Sequence, residues 1–441
     1  MSTPDAPGRP GSLWPVTRIA IIGTGYVGLT TGACFAHLGH EVVCADIDAD
    51  KVERLNRGEV PIVEHRLDSL VDEGLRNGNL RFVVGAANAA KDCQIAFLCV
   101  PTPQGDDGSA DLTYVEAAAT EIGPVLPYEA IVVNKSTVPV GSTKVVERVL
   151  RRPDVRVVSN PEFLREGSAV EDFLNPDRVV VGADDRAAAI TVGALYDRVR
   201  AQVVVTDPAS AETIKYAANA FLATKLSFIN AIAAICEGVG ADVNDVVVGM
   251  GYDKRIGTEF LRPGPGWGGS CFPKDSRALL RIANEAGYRF DLLAGVIAVN
   301  EEQLDRVADK IRNAAGGSLE GRTVGVWGLT FKARTDDLRD SPAIAIINRI
   351  LGDGARVRAY DPTVGTHRHG VPAAIEISPD PYAAADGADV LAVLTEWDEF
   401  RWLEPRKVAA AMHQRQVVDG RNILDRNDWQ RAGFTHQGIG R

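Results

Sequence analysis

No two cysteines in this 441-residue chain form a CxxC pair, and the six present (34, 44, 93, 99, 236 and 271) are scattered. Zinc sites and disulfide frames need regularly spaced cysteines, so neither is expected, and a reduced, cytoplasmic setting fits best. Positive charge is also short: 48 Lys and Arg against 59 Asp and Glu leave a net charge of −11. That balance argues against a general binder of nucleic acid or anionic membrane, while a local basic pocket for a phosphorylated small molecule stays allowed. No apolar run of 18 residues is read in the sequence, so no membrane crossing is expected. Residues 1–17 lack both a basic start and an apolar core. Their Pro, Gly and Ser content predicts a loose tail rather than a signal peptide.

What is there is a soluble-type composition, 45% hydrophobic and 24% charged, in a chain too long for one ordinary core. The strand pattern Arg18-Ile-Ala-Ile-Ile22 runs directly into Gly23-Thr-Gly-Tyr-Val-Gly28, a helix pattern to Leu38, and a second strand, Glu41 to Asp46. In that context GxGxxG is a dinucleotide fingerprint. Gly23 permits the tight turn, Gly25 lets a pyrophosphate approach, and Gly28 lets helix pack on strand. The helix N-terminus faces the phosphate. Asp46 can accept both ribose hydroxyls and repel a 2′-phosphate, which favours NAD over NADP. Lys51 can reach the ribose or the phosphate.

Strand patterns continue at 95–100, 130–134, 156–159 and 178–182, most of them ending in polar or proline-containing loops. In a doubly wound sheet such carboxyl-end loops build the site, which makes Thr102, Thr137, Glu162 and Glu166 candidates. Residues 208–238 then predict one long, mostly apolar helix, about 45 Å at 1.5 Å per residue. Its apolar surface suggests burial between domains or subunits. Lys215 and Asn219, four apart, share a face of it. After a helix near 291–315 and the joint Gly316-Gly-Ser318, a βαβ rhythm restarts without a GxGxxG. There Phe331 and Lys332 suit a nucleobase and a phosphate.

The densest signal is Gly264-Pro-Gly-Trp-Gly-Gly-Ser-Cys-Phe-Pro-Lys-Asp275. So many glycines predict a formed binding loop, since glycine tolerates positive φ and close backbone approach. Cys271 closes the loop with Lys274 and Asp275 one turn on. A neighbouring lysine favours the thiolate, the form that attacks carbon. An NAD site with a nucleophilic cysteine suggests aldehyde oxidation through a thioester.

These motifs, with Val100-Pro-Thr-Pro103, Lys135-Ser-Thr-Val-Pro139, Asn160-Pro-Glu-Phe-Leu-Arg-Glu-Gly167, Ile214-Lys-Tyr-x-x-Asn219, Asp253-x-Arg-Ile-Gly257 and Phe331-Lys-x-x-Thr-Asp-Asp-x-Arg339, resemble the UDP-glucose 6-dehydrogenase family in order over residues 18–425. The resemblance implies an α/β fold of two doubly wound Rossmann-like domains joined by a long central helix. The expected division is a tail (1–17), an NAD-binding domain (18–205), a central helical and dimerisation region (206–315), a nucleotide-sugar domain (316–425) and a second tail (426–441).

It also implies a four-electron oxidation at C6 of a nucleotide-linked hexose by two NAD⁺. Cys271 would attack the aldehyde, Lys215 would stabilise the oxyanion and Asn219 would hold it. Asp275 would order water, and Thr137 and Glu162 would bind it, with Glu162 the base. Gly23, Gly25, Tyr26, Val27, Gly28, Asp46, Lys51, Thr102, Thr137, Glu166, Lys274 and Arg339 would contact NAD. The sugar nucleotide would meet Glu162, Phe163, Leu164, Arg165, Glu166, Lys215, Asn219, Arg262, Gly266, Trp267, Gly268, Cys271 and Phe331. Lys332 and Arg421 would hold its diphosphate. Arg255 would reach a neighbouring subunit's sugar, implying a homodimer or higher even oligomer. The stretch Arg262-Pro-Gly-Pro-Gly-Trp267 is richer in proline than the family pattern. That leaves dTDP-glucose, GDP-mannose or a UDP-N-acetylhexosamine as other substrates, and a turnover-dead nucleotide-sugar sensor as the remote alternative.

Overall fold

The computed structural model describes residues 16–103, 105, 110–365 and 370–441. Most of the expected N-terminal tail, residues 1–15, lies outside them. Contacts divide the chain into two compact units, residues 1–217 and 218–441.

The first unit holds eight strands: β1 (Arg18–Ile22), β2 (Glu41–Asp46), β3 (Leu80–Val84), β4 (Ile95–Leu98), β5 (Ile131–Asn134), β6 (Arg156–Ser159), β7 (Arg178–Gly182) and β8 (Gln202–Thr206). They form one sheet in the order β3-β2-β1-β4-β5-β6-β7-β8. Strands β1 to β6 run parallel, the doubly wound arrangement the sequence predicts. The last two depart from it. Strand β7 meets β6 antiparallel through one residue pair, Ser159 with Gly182, and β8 follows β7. Helices cover both faces of the central strands, so Ile19, Ile21, Phe97 and Val133 are all but fully enclosed. Full burial of such a side chain stabilises by about 1.5–3 kcal/mol, and both-face burial is why these strands read as unbroken apolar runs.

The second unit carries a six-stranded, all-parallel sheet: β9 (Thr323–Trp327), β10 (Arg356–Tyr360), β11 (Ile375–Ile377), β12 (Val390–Val393), β13 (Gln416–Asp419) and β14 (Thr435–Gly438). Its order is β11-β10-β9-β12-β13-β14. Residues 426–441 are therefore not the tail the sequence predicts. They form a helix, Arg426–Arg431, and the edge strand β14 paired with β13. Trp429 and Phe434 are buried there, and their packing explains the order.

The long helix is Pro208–Val239, 32 residues, and passes through the boundary between the units. An 18-residue window of it has mean hydropathy 1.4, so by length and composition it could cross a membrane, contrary to the sequence reading. Its polar side chains Glu212, Lys215, Asn219, Ser227 and Asn230 are nonetheless buried and hydrogen-bonded to other elements, as in a core helix.

Candidate active site

In the first unit the turn after β1 has the form the fingerprint demands. Gly23 has φ +97°, and a Cβ there would meet the Cys99 carbonyl oxygen at 2.7 Å. A Cβ on Gly28 would strike the Gly23 carbonyl oxygen at 1.9 Å, whereas one on Gly25 would meet nothing within 4 Å. Backbone packs tightly on both sides of an open position at the N-terminus of the helix Tyr26–His37, which suits a pyrophosphate. Asp46 ends β2 beside this turn. It accepts from the Thr24 amide (3.1 Å) and hydroxyl, the Asp48 amide (3.2 Å) and the Lys51 ammonium (3.0 Å). Burial alone would raise its pKa, but these donors prevail and hold it at about 2. The carboxylate is thus ionised and oriented, so the residues present fit NAD. Lys51 serves Asp46 here. Val27 packs on the core under the turn.

Tyr26 points the other way. Its hydroxyl donates to Glu64 and accepts from the Gly167 amide at 2.7 Å. Glu64, which sequence reasoning missed, also accepts from the amides of Gly167 (2.7 Å) and Ala169 (3.0 Å). The dinucleotide turn is thereby tied to the loop carrying Glu162 and Glu166. Thr102 donates to the Thr137 carbonyl at 2.9 Å, joining the loops after β4 and β5.

Lys215 and Glu162 form a buried pair. The Lys215 Nζ lies 2.9 Å from the Glu162 carboxylate and 2.7 Å from its carbonyl oxygen. The other carboxylate oxygen accepts from the Leu164 amide at 2.6 Å. Phe163 has the Arg178 guanidinium 3.7 Å and the Lys215 ammonium 5.5 Å from its ring centre, both attracted by the ring face. Arg165 is turned to Asp172, at 2.6 and 3.1 Å, and Leu164 packs on the core. Glu212, a second residue missed from sequence, accepts from the Gly141 (2.6 Å) and Thr143 (3.0 Å) amides. It caps the helix Ser142–Leu150 after the Thr137 loop.

In the second unit Cys271 is the N-cap of the helix Phe272–Glu285, an end where free amides and the helix dipole favour anions. Asp275, fully buried, accepts from Asn219 Nδ2 at 2.6 Å and Lys274 Nζ at 2.7 Å. Five of the six cysteines are buried, and Cys271 alone is partly open. Burial pushes Cys93 and Cys99 up to about 12 and raises Cys34 and Cys44 further, which keeps those four as thiols.

The glycine loop is held by polar side chains that carry no recognisable motif. Asn300 accepts from the Trp267 amide (2.8 Å) and donates to its carbonyl (3.0 Å), and Ser227 accepts from the Trp267 indole (2.8 Å). Asn230 accepts from the Gly264 amide (2.9 Å), and Gln303 donates to the Gly264 carbonyl (2.8 Å). Their only sequence signal is polarity on otherwise apolar helix faces. The loop after β9 lies directly on the glycines. A Cβ on Gly268 would meet the Asp340 carbonyl oxygen at 1.9 Å, and one on Gly269 the Phe331 ring at 2.7 Å. Arg421 donates to the carbonyls of Phe331 (3.0 Å) and Leu394 (2.8 Å), so Phe331, Arg421, Gly266, Gly268, Trp267 and Cys271 belong to one neighbourhood. Lys332 lies beside the Phe331 ring, 5.2 Å from its centre. Arg339 is paired with Asp337, Arg255 with Asp253, and Arg262 is exposed.

A glycine turn of the dinucleotide form with an ionised carboxylate beside it in one sheet, and a cysteine loop beside the other, suit an NAD-dependent oxidoreductase. The chain belongs to the UDP-glucose/GDP-mannose dehydrogenase family, whose NAD-binding, central and UDP-binding domains match residues 17–200, 209–302 and 325–426. It is 46% identical to the UDP-glucose 6-dehydrogenase TuaD of Bacillus subtilis, covering 96% of this chain and 93% of that one. Among solved structures, a UDP-glucose dehydrogenase from Pyrobaculum islandicum matches with a TM-score of 0.90 at 38% identity, covering 97% and 98% of the two chains. A UDP-D-ManNAc dehydrogenase from Pyrococcus horikoshii matches at 0.86 with 28% identity, covering 96% and 99%.

Proposed function

We propose that this chain oxidises the C6 hydroxymethyl of UDP-glucose to the carboxylate through a thioester on Cys271. The observation carrying this is the Cys271 site: the one partly open thiol, at a helix N-terminus, behind a glycine loop. Gly23, Gly25, Gly28 and Asp46 would hold NAD at the first sheet, where it would supply the oxidant, a hydride acceptor in each of two rounds. The alcohol carbon first becomes an aldehyde. Cys271 adds to it, and the tetrahedral adduct is oxidised to the thioester. Lys215 offsets negative charge on the C6 oxygen, and Asn219, oriented by Asp275, donates to it. Glu162 takes one proton from the water that attacks the thioester; collapse of the adduct expels the thiolate and leaves the carboxylic acid, which gives its proton to solvent. Phe331 stacks on the uracil, and Lys332 and Arg421 neutralise the diphosphate.

The working unit is proposed as a dimer or larger even oligomer. Phe221, Phe228, Ile235 and Val239 form one helical stripe, each 49–72% exposed in the single chain. A two-fold partner would cover that stripe. Cysteines that form no disulfide suit a reducing cytoplasm.

The test is NADH formation with UDP-glucose, dTDP-glucose, UDP-galactose, UDP-GlcNAc and GDP-mannose. The highest kcat/KM with UDP-glucose, at two NADH per sugar, is expected. Binding without NADH would mark a sensor.

A further inference from the structure

Beneath the Glu162–Lys215 pair lies a second lysine. Lys135 follows β5, is 4% exposed, and has no carboxylate within ion-pair distance among the described residues. Its ammonium donates to Asn160 Oδ1 at 3.0 Å and to the Tyr196 hydroxyl at 3.2 Å. Tyr196 in turn donates to the same Asn160 oxygen at 2.7 Å, and Asn160 Nδ2 donates to the Val180 carbonyl in β7 at 2.7 Å. Backbone bonds complete the knot: the Lys135 amide donates to Leu98 at the end of β4, and the Asn160 amide to Asn134 at the end of β5.

This knot sits where the sheet is weakest. Strands β6 and β7 share a single antiparallel pair, so the Asn160 side chain supplies cross-strand bonding that a ladder supplies elsewhere. Asn160 stands two residues before Glu162, whose carbonyl and carboxylate both receive Lys215. A shift at the seam would move the Glu162 carboxylate relative to the ammonium, which the long helix carries. An isolated buried ammonium is expensive, and burial lowers Lys135 to about 8, with Cys99, Glu162, Lys215 and Tyr196 the ionisable groups around it. A methionine would fill the same space without that cost, so stability alone gives no reason for a lysine here.

We propose that Lys135 is a positioning residue for the reaction, holding Glu162 through Asn160 and Tyr196 in the geometry needed for thioester hydrolysis. This rests on the role given to Glu162 above. The test uses pre-steady-state and steady-state NADH formation with Lys135→Met, Lys135→Gln, Glu162→Gln and the double variant Lys135→Met/Glu162→Gln. Lys135→Met should slow the phase after the first NADH burst by about tenfold or more, leaving both KM values within about twofold. Lys135→Gln, which keeps a donor without charge, should recover most of that loss. The double variant should be no slower than Glu162→Gln alone, because the lysine acts through the glutamate.

An unchanged slow phase in Lys135→Met, additive losses in the double variant, or equal slowing of burst and steady state would overturn the proposal. If Glu162→Gln itself shows no slow phase, the reading of Glu162 fails instead. Should Lys135→Met not fold, as judged by its melting transition, Tyr196→Phe decides by the same burst and double-variant comparison.

Discussion

Asp46 and Asp361 stand at equivalent places, each closing the second strand of its sheet, and differ in what they have left to offer. Gly23 donates to the residue before Asp46, and Gly328 to the residue before Asp361, both at 2.8 Å. Asp361 is saturated by the chain itself. One oxygen accepts from Leu329 (2.8 Å), from the Thr330 amide and hydroxyl (both 3.1 Å) and from the Trp397 indole (3.1 Å). The other accepts twice from Thr363. Asp46 keeps one oxygen with a single, long bond from Asp48. The second sheet thus has a glycine turn after its first strand, but the carboxylate beside it is used up by the chain's own donors.

The lightly used oxygen of the ionised Asp46 should make the enzyme prefer NAD⁺ to NADP⁺ by about 10²-fold or more in kcat/KM, given the several kcal/mol that opposed like charges cost. With its pKa near 2, the preference should not change from mildly acidic to alkaline pH. Equal kcat/KM for the two cofactors would remove the argument from β2.

Cys271→Ser should lower net oxidation to the acid by about two orders of magnitude or more, because a neutral hydroxyl is a far weaker nucleophile than a thiolate. Product analysis checks this. Steady formation of two NADH per sugar by the variant would rule out the thioester.

Glu162→Gln should slow thioester hydrolysis more than the first oxidation, since the amide keeps an oxygen for Lys215 but cannot take a proton. Rapid mixing should show an NADH burst and then a slow phase. Slowing of both phases alike would make Glu162 an orienting group only.

Acid should destabilise the first unit through His40. Burial, the largest cause, lowers its pKa from 6.5 to about 4. Its Nδ1 accepts from the Thr17 amide at 3.3 Å, so the folded state holds the neutral ring. Between those pH values the unfolded chain binds a proton that the folded chain refuses, so stability is full above 6.5 and falls as pH drops to 4. The size is about 3 kcal/mol at 1.36 kcal/mol per pKa unit. Denaturant unfolding of His40→Gln across this range should show a shallower loss; the same slope as the parent would exclude the histidine.

Subunit sharing should appear as complementation. Arg255→Ala and Cys271→Ala chains, each inactive alone, should regain part of the activity when mixed, through hybrid sites. Glutamates at Phe221 and Phe228 should abolish association in light scattering. A parent monomer with full activity would overturn both statements.

How much the sequence reveals depends on what each residue is enclosed by. Ile19–Ile22 and Val390–Val393 are buried on both faces, and their apolar runs mark them directly. Strand β3, Leu80-Arg-Phe-Val-Val84, exposes its arginine at the sheet edge, and β14 reads Thr-His-Gln-Gly, so neither carries a run to recognise. The glycine turns were legible because steric necessity leaves few substitutes. The Lys215–Glu162 bond was not, since the partners are 53 residues apart. Nor were Glu64, Glu212 and Asn300, whose work is to hold loops.

The edge strand β14 sets a timetable for making the protein. The first sheet has all its strands once residue 206 has left the ribosome. The second must wait for residue 438, and the segment after it is stitched back onto the far end of the long helix and the start of the helix that follows: Gly440 donates to Glu237 at 2.7 Å and accepts from Val243 at 3.0 Å. Domains generally fold in the order they emerge. A ribosome paused midway would therefore carry the first sheet's strands complete beside an apolar helix still lacking its clasp.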